Sequence, residues 1–215
     1  SLKKTFKKKK FKRKKIFPEI KRYKKIKFKI NNDYLTSGIN DENMNFVYTF
    51  SKLINVREKS FINSMQSFNG LPHRFEIFMR KKGITFINDS KATSFTAASL
   101  AISSLKNIFW ILGGLPKKGD KIEISKFKKN IIKSYIIGKH INFFEKQIKG
   151  KIIYSISKDL ENALRQIFKD YKYYNIEKCT ILFSPAAASF DQFDNFEMRG
   201  IKFKKLWKVY ARKFI

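Results

Sequence analysis

From residue 75 onward, short apolar runs alternate with amphipathic stretches. Residues 75–80 and 84–88, split by Lys81-Lys82-Gly83, read as a hairpin. A helix through Ala97, Ala98, Leu100, Ala101 and Leu105 then leads to strand 108–112, ended by Gly113-Gly114. A weaker helix around Phe127 precedes strand 135–137. Ile141, Phe144 and Ile148 mark a helix before strand 151–154. Ser157 is placed to cap a helix carrying Leu160, Leu164, Ile167 and Phe168. Strand 180–183 follows, and Met198, Ile201, Leu206 and Val209 outline the last helix. This βα alternation with short connections predicts an α/β fold. Its sheet would be Rossmann-like, doubly wound and mostly parallel, over residues 71–215.

The first 70 residues read differently. Between Lys25 and Ile30, lysines alternate with Ile26, Phe28 and Ile30, which predicts a half-buried strand. Asn40 or Asp41 is placed to cap a helix whose apolar side is Met44, Val47, Phe50 and Ile54. A shorter helix carries Phe61, Met65 and Phe68. Asn69-Gly70 and Leu71-Pro72 then mark a boundary. Residues 1–70 offer too few elements for a compact domain of their own.

Charge changes the picture at one end only. The chain carries 48 Lys and Arg against 17 Asp and Glu, a formal +31, and residues 1–30 hold +15 of it. The Lys-rich residues 1–25 read either as an arm for nucleic acid or acidic membrane, or as a solvated lead-in; they lack helical periodicity and any RNA-binding signature. Elsewhere the abundance of Lys, Ile, Phe and Asn is a general compositional drift. Cys179 is the single cysteine, so an internal disulfide and a cysteine metal cluster are both excluded. No apolar run has the length of a membrane span, and no apolar core follows the basic start as a secretory signal requires. A reducing, cytoplasmic setting fits.

Candidate chemistry gathers where strands end. Asp89, Ser90, Lys91 and Thr93 follow strand 84–88 with a carboxylate, two hydroxyls and an ammonium. Such a polar loop at a strand's carboxyl end suits a nucleotide or an anionic substrate; equally, Asp89 or Ser90 could simply cap the next helix. Gly113-Gly114-Leu115-Pro116-Lys117-Lys118-Gly119 turns tightly and presents lysines, without the spacing of a P-loop. Ser184-Pro185-Ala186-Ala187-Ala188-Ser189-Phe190-Asp191 allows close approach of a ligand and offers Ser189. His73 reads as structural, Arg74 as a phosphate or base contact, His140 as a solvated surface residue and Cys179 as core. No carboxylate pair and no nucleophile elbow stands out.

Taken together, Gly70-Leu71-Pro72-His73-Arg74, Asn88-Asp89-Ser90-Lys91-Ala92-Thr93, the Gly113–Lys117 string, the Ser184–Asp191 string and Asn195-Phe196-Glu197-Met198-Arg199-Gly200 resemble the C-terminal domain of the Mur ligase family, in its D-glutamate-adding branch. The resemblance implies an ATP-dependent amide ligase of peptidoglycan precursor synthesis. The carboxylate of UDP-N-acetylmuramoyl-L-alanine would take the γ-phosphoryl of ATP to give an acyl phosphate, which the amine of D-glutamate attacks, with Mg2+ assisting the phosphoryl step. It further implies that Thr93, Lys117, Ser189 and Phe196 bind D-glutamate, that Arg74 and Asp89 contact ATP phosphate and ribose, and that Lys91 acts near the phosphates. Asn40 and Asn43 match an Asn-x-x-Asn of the family's ATP-binding domain, the second facing adenine. Residues 1–70 would then be a basic lead-in plus the last elements of that domain.

The chain departs from the family pattern at Ile39 (usually His), Ala187 (often Cys) and Ser94 (often Asn). The family's phosphate-binding loop, magnesium ligands, carbamylated lysine and uridine-nucleotide domain are expected to precede residue 1. The chain is therefore expected to be inactive alone, with no metal site of its own, no specific nucleic acid and no membrane span. Two alternatives are a non-catalytic Mur-like scaffold with a basic arm and a decayed remnant.

Overall fold

Where lysines alternate with apolar residues, the chain forms not a strand but a helix, α1 (Ile20–Lys27). Six residues of period two also fit a helix if the apolar positions recur three and four apart, and Tyr23, Ile26 and Ile30 do so. All three are buried, whereas Phe28, which the strand reading would bury, is 80% exposed. The computed structural model describes residues 20–214, so the expectation for the Lys-rich residues 1–19 lies outside it. Two compact units, Ser1–Asn69 and Gly70–Ile215, divide the chain.

The first unit continues with α2 (Asp33–Thr36), α3 (Asp41–Leu53) and α4 (Glu58–Gln66). Asn32 caps α2 through its side-chain oxygen, and its Nδ2 donates to the carbonyls of Met65 and Phe68 at 2.8 and 2.7 Å, tying the end of α4 back to α2. Tyr23, Ile26, Ile30, Leu35, Met44, Tyr48 and Phe61 make a small core, with the Tyr48 and Phe61 rings edge to face. Contrary to expectation, these elements suffice for a core of their own. The buried face of α3 is also not the predicted one. Met44, Asn45, Tyr48 and Ser51 point inward, and Val47, Phe50 and Ile54 point out.

The second unit is an α/β sandwich around a six-stranded sheet of order β1-β2-β6-β3-β4-β5. Strand β1 (Glu76–Lys81) pairs antiparallel with β2 (Ile84–Asn88), and the remaining pairs, among β2, β3 (Ile108–Gly113), β4 (Ile131–Ile137), β5 (Tyr154–Lys158) and β6 (Cys179–Phe183), are parallel. Strands β3 and β6 are buried along their whole length, as strands covered on both faces must be. One face carries α5 (Phe95–Ser103) and α6 (Ile141–Ile148), joined by Phe95 packing on Phe143 and Phe144. The other carries α7 (Leu160–Tyr174) and α8 (Phe196–Phe214), whose Leu164, Phe168, Phe203 and Trp207 pack on Phe86, Phe109, Ile181 and Phe183.

Local differences from the predicted elements have local causes. The weak helix at Phe127 is two short 3-10 turns, Ile124–Lys126 and Lys128–Asn130. The last strand before α7 starts at Tyr154, because Ile152 still bonds back to Ile148 and pairing with β4 begins only at Ser134 opposite Tyr154. Ser157 lies inside β5, and Asp159 caps α7 instead, accepting from the Asn162 amide. In α8 the core face is Phe203, Leu206, Trp207 and Tyr210, while Met198, Ile201 and Val209 are exposed.

Candidate active site

Three neighbouring strands, β2, β6 and β3, end at one edge of the sheet, and their loops are tied together by main chain and side chain alike. The zip starts where Leu115 and Ala188 exchange backbone hydrogen bonds of 2.9 and 3.0 Å, which fixes Lys117 two residues from one end and Ser189 beside the other. The Gly113 amide donates to the Pro185 carbonyl, and the Asp89 amide to that of Phe183. Gly113, at φ +129°, has Ile137 O where a Cβ would sit, so only glycine lets β3 turn here.

Side chains complete the lacing. Ser94, not Asp89 or Ser90, caps α5, accepting from the Ala97 amide. The first amide of that helix, Phe95 N–H, donates to Asp120 Oδ2 at 2.7 Å, so the Lys117–Asp120 turn is anchored to the helix that starts just past Thr93. Ser90 is fully buried; its hydroxyl donates to the Phe196 carbonyl at 2.8 Å and accepts from Arg199 Nε at 3.0 Å. Arg199 Nη2 donates to the carbonyls of Ser90 and Ala187 at 2.8 and 2.9 Å. Its Nη1 is buried without a partner beside Gly114. One guanidinium thus holds the β2 and β6 loops together and presses on the β3 loop. Burial pushes its pKa down to about 10, which leaves it charged at neutral pH.

Asp89 is part of the same lacing. Its Oδ2 accepts the Ser184 hydroxyl at 2.7 Å and its Oδ1 the Phe75 amide at 3.0 Å. Desolvation raises its pKa to about 6, against the opposing pull of these bonds and of Arg74. The folded state therefore binds this proton more tightly than the unfolded chain. Stability from this group is full below about pH 4 and is lost as pH rises through about 6, a swing of about 3 kcal/mol. Asp89→Asn keeps an acceptor for Phe75 and gives Ser184 a donor. Urea midpoints of the variant should exceed those of the parent at pH 8 and converge with them near pH 4; a difference constant with pH would show a solvated carboxylate.

The remaining expected residues surround this frame. Lys117, Thr93 and Arg74 are exposed, Ser189 is buried, and Phe196 is half-buried. Lys91 Nζ sits 3.8 Å above the centre of the Phe196 ring, a cation–π contact that directs the ammonium. The Lys91 amide donates to the His73 carbonyl, and His73 is a buried structural residue whose Nδ1 meets Asn88 Nδ2 at 2.8 Å. Asn40 and Asn43 lie in the first unit: Asn40 Nδ2 donates to the Tyr34 carbonyl, and Asn43 is exposed on the first turn of α3. Among the described residues no three His, Cys, Asp or Glu side chains meet to hold a metal ion.

Sequence reasoning did not single out Arg199, Ser184 or Asp120. A signal for Arg199 existed: it stands four residues before Phe203, in line with the buried face of α8, where an arginine is out of place unless it has partners.

No family model matches the sequence. Over 182 residues the chain is 39% identical to the UDP-N-acetylmuramoylalanine--D-glutamate ligase of Rickettsia felis, covering 85% of this chain and 40% of that protein. The ligase of the same name from Nitrobacter winogradskyi is 43% identical over 142 residues, 66% of this chain and 30% of that one. The chain thus spans about two fifths or less of the length of these curated relatives. In fold it is similar to the MurF ligase of Thermotoga maritima in complex with ADP (TM-score 0.54, 18% identity, 80% of this chain and 39% of that one). The MurC ligase of the same organism is comparable (TM-score 0.51, 13% identity, 83% and 38%). The resemblance carried by the strand-end motifs is therefore matched in sequence and in fold.

Proposed function

We infer that a chain this similar to the D-glutamate-adding Mur ligases is the C-terminal part of one, and that its laced strand-end loops are the D-glutamate site. The observation that carries this reading is the cross-tied frame of Asp89, Ser90, Ser184, Asp120 and Arg199, which fixes the backbone beside Thr93, Lys117 and Ser189. In this role the Lys117 ammonium pairs with a D-glutamate carboxylate, the Thr93 and Ser189 hydroxyls hydrogen-bond the amino acid, and Phe196 supplies packing. Arg74 faces ATP phosphate. Asp89, with both oxygens already engaged, orients the loop and offers its remaining lone pairs to a ribose hydroxyl. Lys91 neutralises charge near the phosphates.

The chemistry is that of an amide ligase. A carboxylate oxygen of UDP-N-acetylmuramoyl-L-alanine attacks the γ-phosphorus and ADP leaves. The D-glutamate nitrogen then attacks the acyl carbon, and phosphate leaves. ATP and Mg2+ are the cofactors; the ATP-binding domain, of which residues 1–70 are the last elements, supplies the main hold on the triphosphate and magnesium, with Arg74 and Lys91 adding charge from this unit. Holding D-glutamate at fixed distance from the acyl carbon is this unit's contribution to rate. The setting is the cytoplasm, where the nucleotide substrates are found; among the described residues no helix is long and apolar enough to cross a membrane.

Titration calorimetry of the full chain with D- and L-glutamate tests the site. D-glutamate should bind, L-glutamate should bind more weakly, and Lys117→Ala should weaken D-glutamate binding about 10- to 100-fold, the value of one charge-assisted contact. Equal binding of the two enantiomers, or an unchanged affinity in the variant, rejects the assignment. ATP, D-glutamate and UDP-N-acetylmuramoyl-L-alanine together should yield no ADP with this chain alone.

A further inference from the structure

The edge of the sheet opposite the laced loops carries a cavity of its own. The parallel strands β2, β6 and β3 start there, with Ile84, Cys179 and Ile108. At about 3.3 Å per residue, the start of β2 is about 13 Å from the end that leads to Asp89. Because β1 runs antiparallel to β2, its last residues, Arg80 and Lys81, come to this same edge. The loop before β3 brings Lys106 and Asn107, and the lead-in to β6 brings Lys178. Between them lies a cavity of about 310 Å³, lined also by buried Ile84, Cys179 and Thr180 and half-buried Thr85. Main chain holds the surrounding loops in place. The Cys179 amide donates to the Gly83 carbonyl at 3.2 Å and the Thr180 amide to that of Asn107 at 3.0 Å, while Asn107 Nδ2 donates to the Lys178 carbonyl at 3.0 Å. Gly83, at φ +78°, lies so close to the Glu177 carbonyl that a Cβ would strike it. The cations therefore stand on a backbone fixed by hydrogen bonds and close packing.

We propose that this cavity binds the phosphoryl group of a small phosphate ester, at a site separate from the ligase loops. Arg80, Lys81, Lys106 and Lys178 line it, and no Asp or Glu does. Lys81, Lys106 and Lys178 take part in none of the ion pairs among the described residues. Like charges around one concavity repel each other and focus positive potential inside it; a compact anion relieves the repulsion and is drawn in by the field. Lysine ammoniums hold a phosphate as point charges, and the Asn107 amide and the Thr85 and Thr180 hydroxyls supply neutral hydrogen-bonding groups for the rest of the ester. Size favours a small molecule over nucleic acid. About 310 Å³ is near the lower end of ligand cavities, room for one phosphorylated sugar, whereas a nucleic-acid strand needs a groove that follows several phosphates. The site uses none of Arg74, Lys91, Thr93, Lys117 or Ser189, so it stands or falls independently of the ligase reading.

Amide NMR of the full 215-residue chain at about 0.15 M salt tests the site, with ribose 5-phosphate, ribose and a short oligothymidylate as probes. Ribose 5-phosphate should shift the amides of Gly83, Asn107 and Lys178 saturably, with a Kd of about 1 mM or lower, and ribose should leave them in place. Lys106→Ala combined with Lys178→Ala should weaken binding at least about tenfold. Both side chains are exposed, so the circular-dichroism melt should not move. Lys106→Gln serves as a milder second variant should the double one melt early. Lys146→Ala combined with Lys205→Ala removes the same charge from exposed positions on α6 and α8 and should bind like the parent. Four results each overturn the proposal. The first is no saturable shift at the three amides. The second is an equal loss in the α6 and α8 variant, which marks a general effect of charge. The third is shifts confined to Lys91 and Thr93, which place the phosphate at the other edge. The fourth is oligothymidylate binding lost in the Lys106 and Lys178 variant while ribose 5-phosphate is silent, which marks a nucleic-acid surface.

Discussion

Arg199→Ala should destabilise the second unit by about 3–4 kcal/mol and abolish D-glutamate binding together. The stability loss has two parts. Three carbonyl or hydroxyl acceptors, Ser90 O, Ser90 Oγ and Ala187 O, lose a charged donor in a site without solvent, and a cavity the size of a guanidinium opens beneath Gly114. The binding loss follows because these same contacts set the spacing of the β2 and β6 loops. Arg199→Lys should recover little, since an ammonium on a flexible stem cannot reach carbonyls on two loops and a hydroxyl at once. The two readouts are the urea midpoint and the calorimetric titration. A variant that loses stability but keeps full affinity would show that the loops hold their places without the guanidinium.

Gly200→Ala should cost about 3 kcal/mol or more, although alanine is the better helix former. A Cβ at this position would come within 2.2 Å of His73 Nδ1 and 3.0 Å of Asn88 Nδ2. Neither neighbour can retreat easily: His73 is buried, and Asn88 donates to His73, Glu76 and the Gly200 carbonyl. His73 itself adopts φ +63°, a conformation glycine reaches without strain. Combining Gly200→Ala with His73→Gly should therefore be more stable than Gly200→Ala alone, an interaction of 1 kcal/mol or more in a double-mutant cycle. Simple additivity of the two changes would show that the imidazole is not what the new methyl group meets.

The second unit was readable because its central strands are buried on both faces and its helices on one, so hydrophobic period and element type agree. β2, β3, β6 and α6 were placed within a residue or so. Faces were less legible than elements. In α8 the sequence offers apolar residues around most of the helix, and Met198 and Val209 are no less apolar than Phe203 and Leu206; what chooses among them is the sheet, which the sequence does not display. The same ambiguity in α3 turned Val47, Phe50 and Ile54 outward while Met44 stayed inside. At the site, the exposed residues Lys117 and Thr93 were visible as chemistry out of place at strand ends. The lacing was not, because some of its partners, such as Ser90 with Phe196 and Arg199, are more than a hundred residues apart.

The position of β6 bears on how the chain acquires its structure. Among the described strands β6 comes last in sequence, yet it lies between β2 and β3, two of the first three. Until residue 183 leaves the ribosome, those strands have no bridge between them, and each shows an unpaired apolar edge to its surroundings. The sheet cannot be assembled by adding strands outward as they emerge. It closes late, by insertion, across sequence separations of about seventy to a hundred residues, the kind of topology that folds slowly. During synthesis the nascent chain is thus a natural client for chaperones, and one that stops short of β6 is a precursor of aggregates rather than a smaller folded protein.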